Sequence, residues 1–275
     1  MTQGTIFSGA LAEDYLGCHV CGIVITARCD LSHDKVSRYT YLPMVKTVDW
    51  LQRDGLELAV ERSTKELLNT FGNYIRSAGF SDKLLETESP SRILSVLFPD
   101  NSTNNNIKKI RPKISDIVDR LIRLKSLSEA DCPDKRLRLM QECNPRIMNA
   151  ILKDLVIGRF AGFYFIEDAI NDNSNGHVVL LREVRHIPRV VARRIEDGLE
   201  LRTLQHDRVL LAVAQNVLNL AEQETLLPVA QLRSPYIEHL MQNFSMLFSR
   251  IGVPDIETRQ LAELLRMNLT SEAPV

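Results

Sequence analysis

Two kinds of hydrophobic spacing divide this chain, and their order restricts the fold more than any single motif does. Residues 1–45 and 160–205 carry short β-branched and aromatic runs set off by turn residues, whereas residues 46–157 repeat their apolar side chains at intervals of three and four. Strand groups this small do not bury enough surface to hold together alone. The order β, long α, β, α therefore predicts an α+β fold in which both strand groups share one small sheet or partial barrel. Residues 1–45 plus 158–275 are expected to form the core domain, with 46–157 as a helical insertion and further helices at the C-terminal end.

Within this frame Ile6 and Phe7 ahead of Ser8-Gly9 read as a short strand, 18–27 as a longer one and 38–45 as a third. Val60, Thr64, Leu67, Phe71, Ile75 and Ala78 mark an amphipathic helix ending near Gly79. Ser89-Pro90 starts a helix through Leu97, and residues 99–106 are a polar loop. Ile114, Ile117, Val118, Leu121 and Ile122 make the next helical face, followed by helices at 133–143 and 145–157, each opening on proline. Strands are expected at 162–166 and 177–182 around a hairpin loop at 171–176, then a helix at 187–195 and a strand at 199–204. Residues 208–220 fit either a helix or a strand.

Ser234 and Pro235 open the clearest helix, whose apolar face runs from Ile237 through Leu240, Met241 and Phe244 to Ile251. Gly252 and Pro254 stop it, Asp255 caps a last helix through Met267, and residues 270–275 read as a disordered tail. If this helix covers the sheet, Phe244 should be almost fully buried against both strand groups.

The stretch 22–35, GIVITARCDLSHDK, presents the first candidate chemistry. A buried strand ending in Cys29-Asp30 would hold a thiol and a carboxylate on rigid scaffold, with Arg28 and His33 near enough in sequence to supply charge or a base. The competing reading packs Cys29 as a small hydrophobe and uses Asp30 to cap the turn. Cys18, Cys21, Cys29 and His33 form a weaker candidate for zinc, since thiolate and imidazole ligands suit that ion. Residues three apart on a strand point to opposite faces, which argues against it.

Two basic stretches offer a nucleic-acid surface: Lys108, Lys109, Arg111 and Lys113, continuing to Arg120, Arg123 and Lys125, and Arg182, Arg185, Arg189, Arg193 and Arg194. Clustered cations follow phosphates, but there is little aromatic interleaving for single strands, and a solvated or ion-paired face is the commoner outcome. Tyr236 and His239 at the start of the late helix are more often packing than chemistry. The glycine loops and histidine or serine signatures of nucleotide-binding and hydrolytic sites are absent, so no cofactor is expected.

Residues 3–9 (QGTIFSG), 22–31 (GIVITARCDL), 39–45 (YTYLPMV) and 234–254 (SPYIEHLMQNFSMLFSRIGVP) together resemble a group of uncharacterised bacterial proteins. Their pattern is a Gln-Gly-Asp-Ile opening, a strand ending in Cys-Asp-Leu or Cys-Asp-Ile, and a closing helix with Pro-Tyr, His-Leu, Phe and Arg-x-Gly-x-Pro. The matches lie within 3–45 and 234–254, about a quarter of the chain, and Thr5 departs from the acid usual in the group. The resemblance implies a bacterial, cytoplasmic accessory protein encoded beside an ATPase or a defence gene.

Bulk properties narrow the setting. A net charge of −1 gives the whole molecule no nucleic-acid or membrane footprint. No apolar run approaches the ~18 residues of a membrane span, and the N-terminus lacks the basic and apolar regions of a signal peptide. Five cysteines, an odd number, suggest thiols in a reducing compartment. The expected function is a non-enzymatic cytoplasmic interaction or sensor subunit. It would act with a catalytic protein partner encoded by an adjacent gene, in anti-phage defence. The alternatives are a thiol hydrolase or metal-dependent nuclease using Cys29 or Asp30, and a nucleic-acid-binding module using the basic stretches. The sequence sets no oligomeric state.

Overall fold

Strand β3 (Arg38–Lys46), the third in the chain, joins the two strand groups. The computed structural model describes residues 1–33, 35–127, 132–170, 175–219 and 225–249. Its strands are β1 (Thr5–Ser8), β2 (Cys21–Val24), β3, β4 (Phe163–Ile166), β5 (His177–Leu180), β6 (Arg185–Pro188), β7 (Leu199–Glu200), β8 (Thr225–Leu226) and β9 (Pro228–Gln231). Met44 to Lys46 pair with β5, Arg38 to Tyr41 pair with β6, and the opposite edge of β3 pairs with β2. The sheet is antiparallel with the order β4-β5-β3-β2-β1-β9, and β6 also lies on β3. Among the described residues its end strands β4 and β9 do not pair, so this is an open sheet in an α+β fold and not a closed barrel. β7 and β8 form a separate two-stranded pair.

Side chains alternate across the sheet. Ile6, Ile23, Leu42, Met44 and Val179 turn to one side, where Ile237 and Leu240 of a late helix join their buried cluster. Phe7, Val24, Tyr41, Val45 and Val178 turn to the other and share one continuous core with Trp50, Phe71, Ile114 and Ile151 of the intervening helices. Cover on both faces explains why the strand sequences read as unbroken apolar runs rather than as alternating ones.

The helices are α1 (Arg28–Ser32), α2 (Thr47–Trp50), α3 (Leu56–Ser77), α4 (Leu84–Thr87), α5 (Pro90–Leu97), α6 (Asn105–Ser126), α7 (Pro133–Cys143), α8 (Pro145–Val156), α9 (Arg189–Glu196), α10 (Leu201–Leu204), α11 (Arg208–Val217) and α12 (Tyr236–Ser249). A π-helical turn, Leu51–Gly55, joins α2 to α3. Caps fix several starts: Ser89 accepts from the Arg92 N–H, Asn104 from Asn106 and Ile107, and Asp207 from Leu210. Gly79, at φ +87°, follows the end of α3 in the left-handed conformation that glycine tolerates.

Several expectations need correction. The strand expected at 18–27 is only Cys21–Val24, and the residues after it form α1 rather than a strand end. The region 187–195 is strand β6 followed by α9. Residues 199–204 are a two-residue strand and a helical turn, and the ambiguous 208–220 contains α11, settled by the Asp207 cap. Strand β9 was not foreseen. Ile122, assigned to a core-facing stripe, is 54% exposed. Phe244 is half-buried rather than enclosed. Most of the loop at 171–176, the stop at Gly252 and Pro254, the helix capped by Asp255 and the tail lie outside the described residues.

Candidate functional site

The α1 turn carries Cys29 and Asp30. Buried Leu31 anchors it, while Cys29 is exposed and Asp30 half-buried. The Cys29 Sγ lies 3.7 Å from Asp30 Oδ1, a contact between sequence neighbours. The Asp30 N–H donates to Ala27 O at 3.1 Å, and the Cys29 carbonyl accepts from Ser32 Oγ at 3.1 Å. His33 caps the helix end, exposed, and no hydrogen bond among the described residues ties it to either partner. A dyad needs a base within hydrogen-bond reach of the thiol, and this turn does not place His33 there.

The four residues considered for zinc are not brought together. Cys21 lies in β2 among the buried residues facing α12. Cys18 precedes the strand, half-buried, with the Arg53 Nη2 at 3.8 Å from its sulfur. Burial pushes the Cys18 thiol up and the charge of Asp49 adds to this, while Arg53 opposes it. Among the described residues no group of three or more His, Cys, Asp or Glu side chains is placed to hold a metal ion.

The basic stretches are partly tied down. On α6, Lys108, Lys109 and Lys113 are exposed, with the Lys113 ammonium 5.7 Å from the Tyr74 ring centroid. Arg111 instead donates to Phe98 O at 2.8 Å and pairs with Asp100 at 2.6 Å. Arg120 donates to Cys143 O. In the second stretch Arg185 is clamped between Glu183 at 2.7 Å and Glu13 at 3.2 Å. Arg189 and Arg193 also have partners. His239 meets Tyr164 of β4, its Nδ1 2.9 Å from the phenolic oxygen, with the rings edge to face. That contact attaches α12 to the sheet edge.

Two hollows were not foreseen. One, of about 560 Å³, is a cleft lined by Tyr15, Asp54, Phe160, Phe163, Arg182 and Glu183. Tyr15 is buried and its hydroxyl donates to Asp54 Oδ2. Burial pushes the Asp54 carboxyl above the usual aspartate range, against the opposing effect of that hydrogen bond. Burial, then Asp54, pushes the phenol far above its usual range. Arg53 stacks 5.2 Å from the Tyr15 ring centroid and donates to the carbonyls of Asp14 and Leu16. The rim cation Arg159 is held by Asp154 at 2.8 Å. With these partners already engaged, the cleft ties the N-terminal turn to the π-helical turn before α3. Tyr15 and Asp54 are 39 positions apart in a chain with no motif linking them, so no local signal could have joined them.

The other hollow is an apolar groove of about 820 Å³ on the helical block. α3 contributes Leu56, Val60 and Leu68, and α6 contributes Val118, Leu121 and Ile122; Arg136 of α7 and Pro90 of α5 also line it. Periodicity puts Val118, Leu121 and Ile122 on one α6 face, but nothing in the sequence shows which neighbours line the space with them.

Compared with protein-family models, with curated proteins and with solved structures, the chain matches none of them. No described helix is long and apolar enough to cross a membrane.

Proposed function

We propose that this chain is a non-enzymatic interaction or sensor subunit that works with a separate catalytic protein. In this reading residues 46–157 are an insertion presenting the partner surface. The resemblance to bacterial accessory proteins supplies the setting, a cytoplasmic defence system with the partner encoded alongside. The observation that carries the proposal is the apolar groove between α3 and α6, with Ile122 at 54% exposure on its wall. A groove with apolar walls between two helices is the kind of surface that takes the apolar face of an amphipathic helix. Around Cys29 the neighbouring Asp30 carboxylate lies 3.7 Å from the sulfur and no hydrogen bond among the described residues brings His33 to it, which favours the subunit reading over a thiol–imidazole dyad.

The test is co-expression with the product of the adjacent gene, followed by size-exclusion chromatography. The two should co-elute, and Ile122→Glu should separate them while leaving the melting temperature of this chain unchanged, because the side chain is exposed. Turnover of a hydrolase or nuclease substrate by the isolated chain, or separate elution of the two wild-type proteins, would overturn the proposal.

A further inference from the structure

We infer that the groove takes a short amphipathic helix of the partner, seated by an acidic side chain on Arg136. This deepens the subunit reading and rests on it for the identity of the partner.

The shape comes first. Leu56, Val60, Thr64 and Leu68 recur every fourth residue on α3, a stripe about 18 Å long at ~1.5 Å per residue. Val118, Leu121 and Ile122 of α6 face the same space. The Asn106 side chain at the start of α6 donates to Ser77 O at the end of α3, so the two packed helices run antiparallel. The seam between two parallel helix axes is a slot into which the ridges of a third helix fit. Ser89 to Ser91, where α5 begins, also line this slot, as does Arg136 of α7. Its length matches about three turns of helix.

The charges select the occupant. Arg136 Nε is buried and has no hydrogen-bond partner among the described residues. A buried guanidinium nitrogen left unpaired is unfavourable, and a carboxylate that reaches it as the Arg136 side chain turns into the groove removes that penalty. The start of α7 is held in place by Gln52, whose Nε2 donates to Asp134 Oδ1 at 2.6 Å. Glu57 and Glu61, one turn apart on α3 and both exposed, line the same groove. The occupant therefore has an apolar stripe at helical spacing, one Asp or Glu directed at Arg136, and Lys or Arg along the flank that passes Glu57 and Glu61.

The probe is a fluorescein-labelled helical peptide about four turns long, with leucines at i, i+4, i+7 and i+11, a lysine flank and one glutamate, set against its glutamine twin. Anisotropy with the full chain should show the glutamate peptide binding about tenfold more tightly, a difference of ~1.4 kcal/mol. Arg136→Gln should erase the preference, and Ile122→Glu should weaken both peptides. Equal binding of the two peptides to the wild type, or a glutamate preference that survives Arg136→Gln, overturns the inference. So does dodecanoate binding that depends on Arg136 when neither peptide binds, since it assigns the groove to a lipid carboxylate. Self-association that Ile122→Glu abolishes, again without peptide binding, assigns it to a second copy. The two readings fail separately. A complex with the adjacent gene's product that ignores Ile122→Glu removes the groove and keeps the subunit. Peptide binding as expected without any complex does the reverse.

Discussion

The Tyr15 hydroxyl donates to Asp54 Oδ2, bonding the turn after β1 to the helix start that follows β3. Tyr15 is 2% exposed, so its hydroxyl has little water to fall back on. Tyr15→Phe keeps the ring but leaves Asp54 without this donor. An unsatisfied group of this kind costs about 1–3 kcal/mol, and urea unfolding at neutral pH should show a loss in that range. An unchanged midpoint would mean that water replaces the phenol without penalty.

The same pair sets a pH dependence. Burial raises the folded-state pKa of Asp54 above its unfolded value, so in that window the folded chain binds the proton more readily. The contribution of Asp54 to stability is therefore most favourable below the ordinary aspartate range and declines as pH rises through the folded value. Asp54→Asn keeps an acceptor for Tyr15 and removes the titration. Relative to this variant, the wild type should gain stability as pH falls from neutral towards the ordinary aspartate range. The comparison cancels Asp49, whose pKa is also raised, and Asp154, whose pKa is lowered chiefly by its hydrogen bond from Arg62. A difference between the two proteins that stays constant with pH would refute the assignment.

The fold was legible where its signals are local. Ser89-Pro90, the prolines at 133 and 145, and Gly79 each mark a helix boundary through the backbone chemistry of a residue or two. The sharing of one sheet by 1–45 and 160–205 followed from a surface argument, since neither group could stand alone, and β3 joins them as that argument required. What stayed hidden depends on contacts between distant residues. The sequence after Ile25 reads on as strand, yet the chain turns at Ala27 and buries Leu31 instead. Strand β9 is four residues long, opens on a proline and, among the described residues, pairs with β1 alone. The Tyr15–Asp54 pair and an Arg136 Nε without a hydrogen-bond partner among the described residues depend on packing across separate elements, which periodicity does not encode.

Gly22 of β2 lies directly under two aromatic rings. Phe7 and Tyr41 meet edge to face at 5.2 Å, and a Cβ on Gly22 would lie 2.5 Å from the Phe7 ring and 2.9 Å from Tyr41. Both rings are fully buried and have no room to give way. Gly22→Ala should therefore destabilise the protein by about 1–3 kcal/mol despite the better strand propensity of alanine. Gly79→Ala, by contrast, meets no atoms within 4 Å and should be felt through its positive φ alone. If chemical denaturation finds Gly22→Ala neutral, the sheet core is looser than these distances imply.

Along α12 cover falls off from one turn to the next. Ile237 is 2% exposed and Leu240 is 0%, Phe244 is half-buried with its ring edge-on to Phe248 at 5.2 Å, and Phe248 is 58% exposed. The first turns of the helix thus lie enclosed over Ile6, Ile23, Leu42 and Val179, while Phe244 and Leu247 of the later turns pack against the same cluster only in part. Leu240→Ala removes a fully enclosed side chain and should cost about 2–5 kcal/mol, a large share of the ~5–15 kcal/mol that holds a domain together. Phe244→Ala loses the larger group but only a partly buried one. It should cost about 1–2 kcal/mol, well short of the ~3–5 kcal/mol of an enclosed phenylalanine. Urea unfolding of the two variants ranks them directly. If Phe244→Ala proves the more damaging, its ring is packed more completely in solution than this arrangement gives it, and α12 covers the sheet along its whole length.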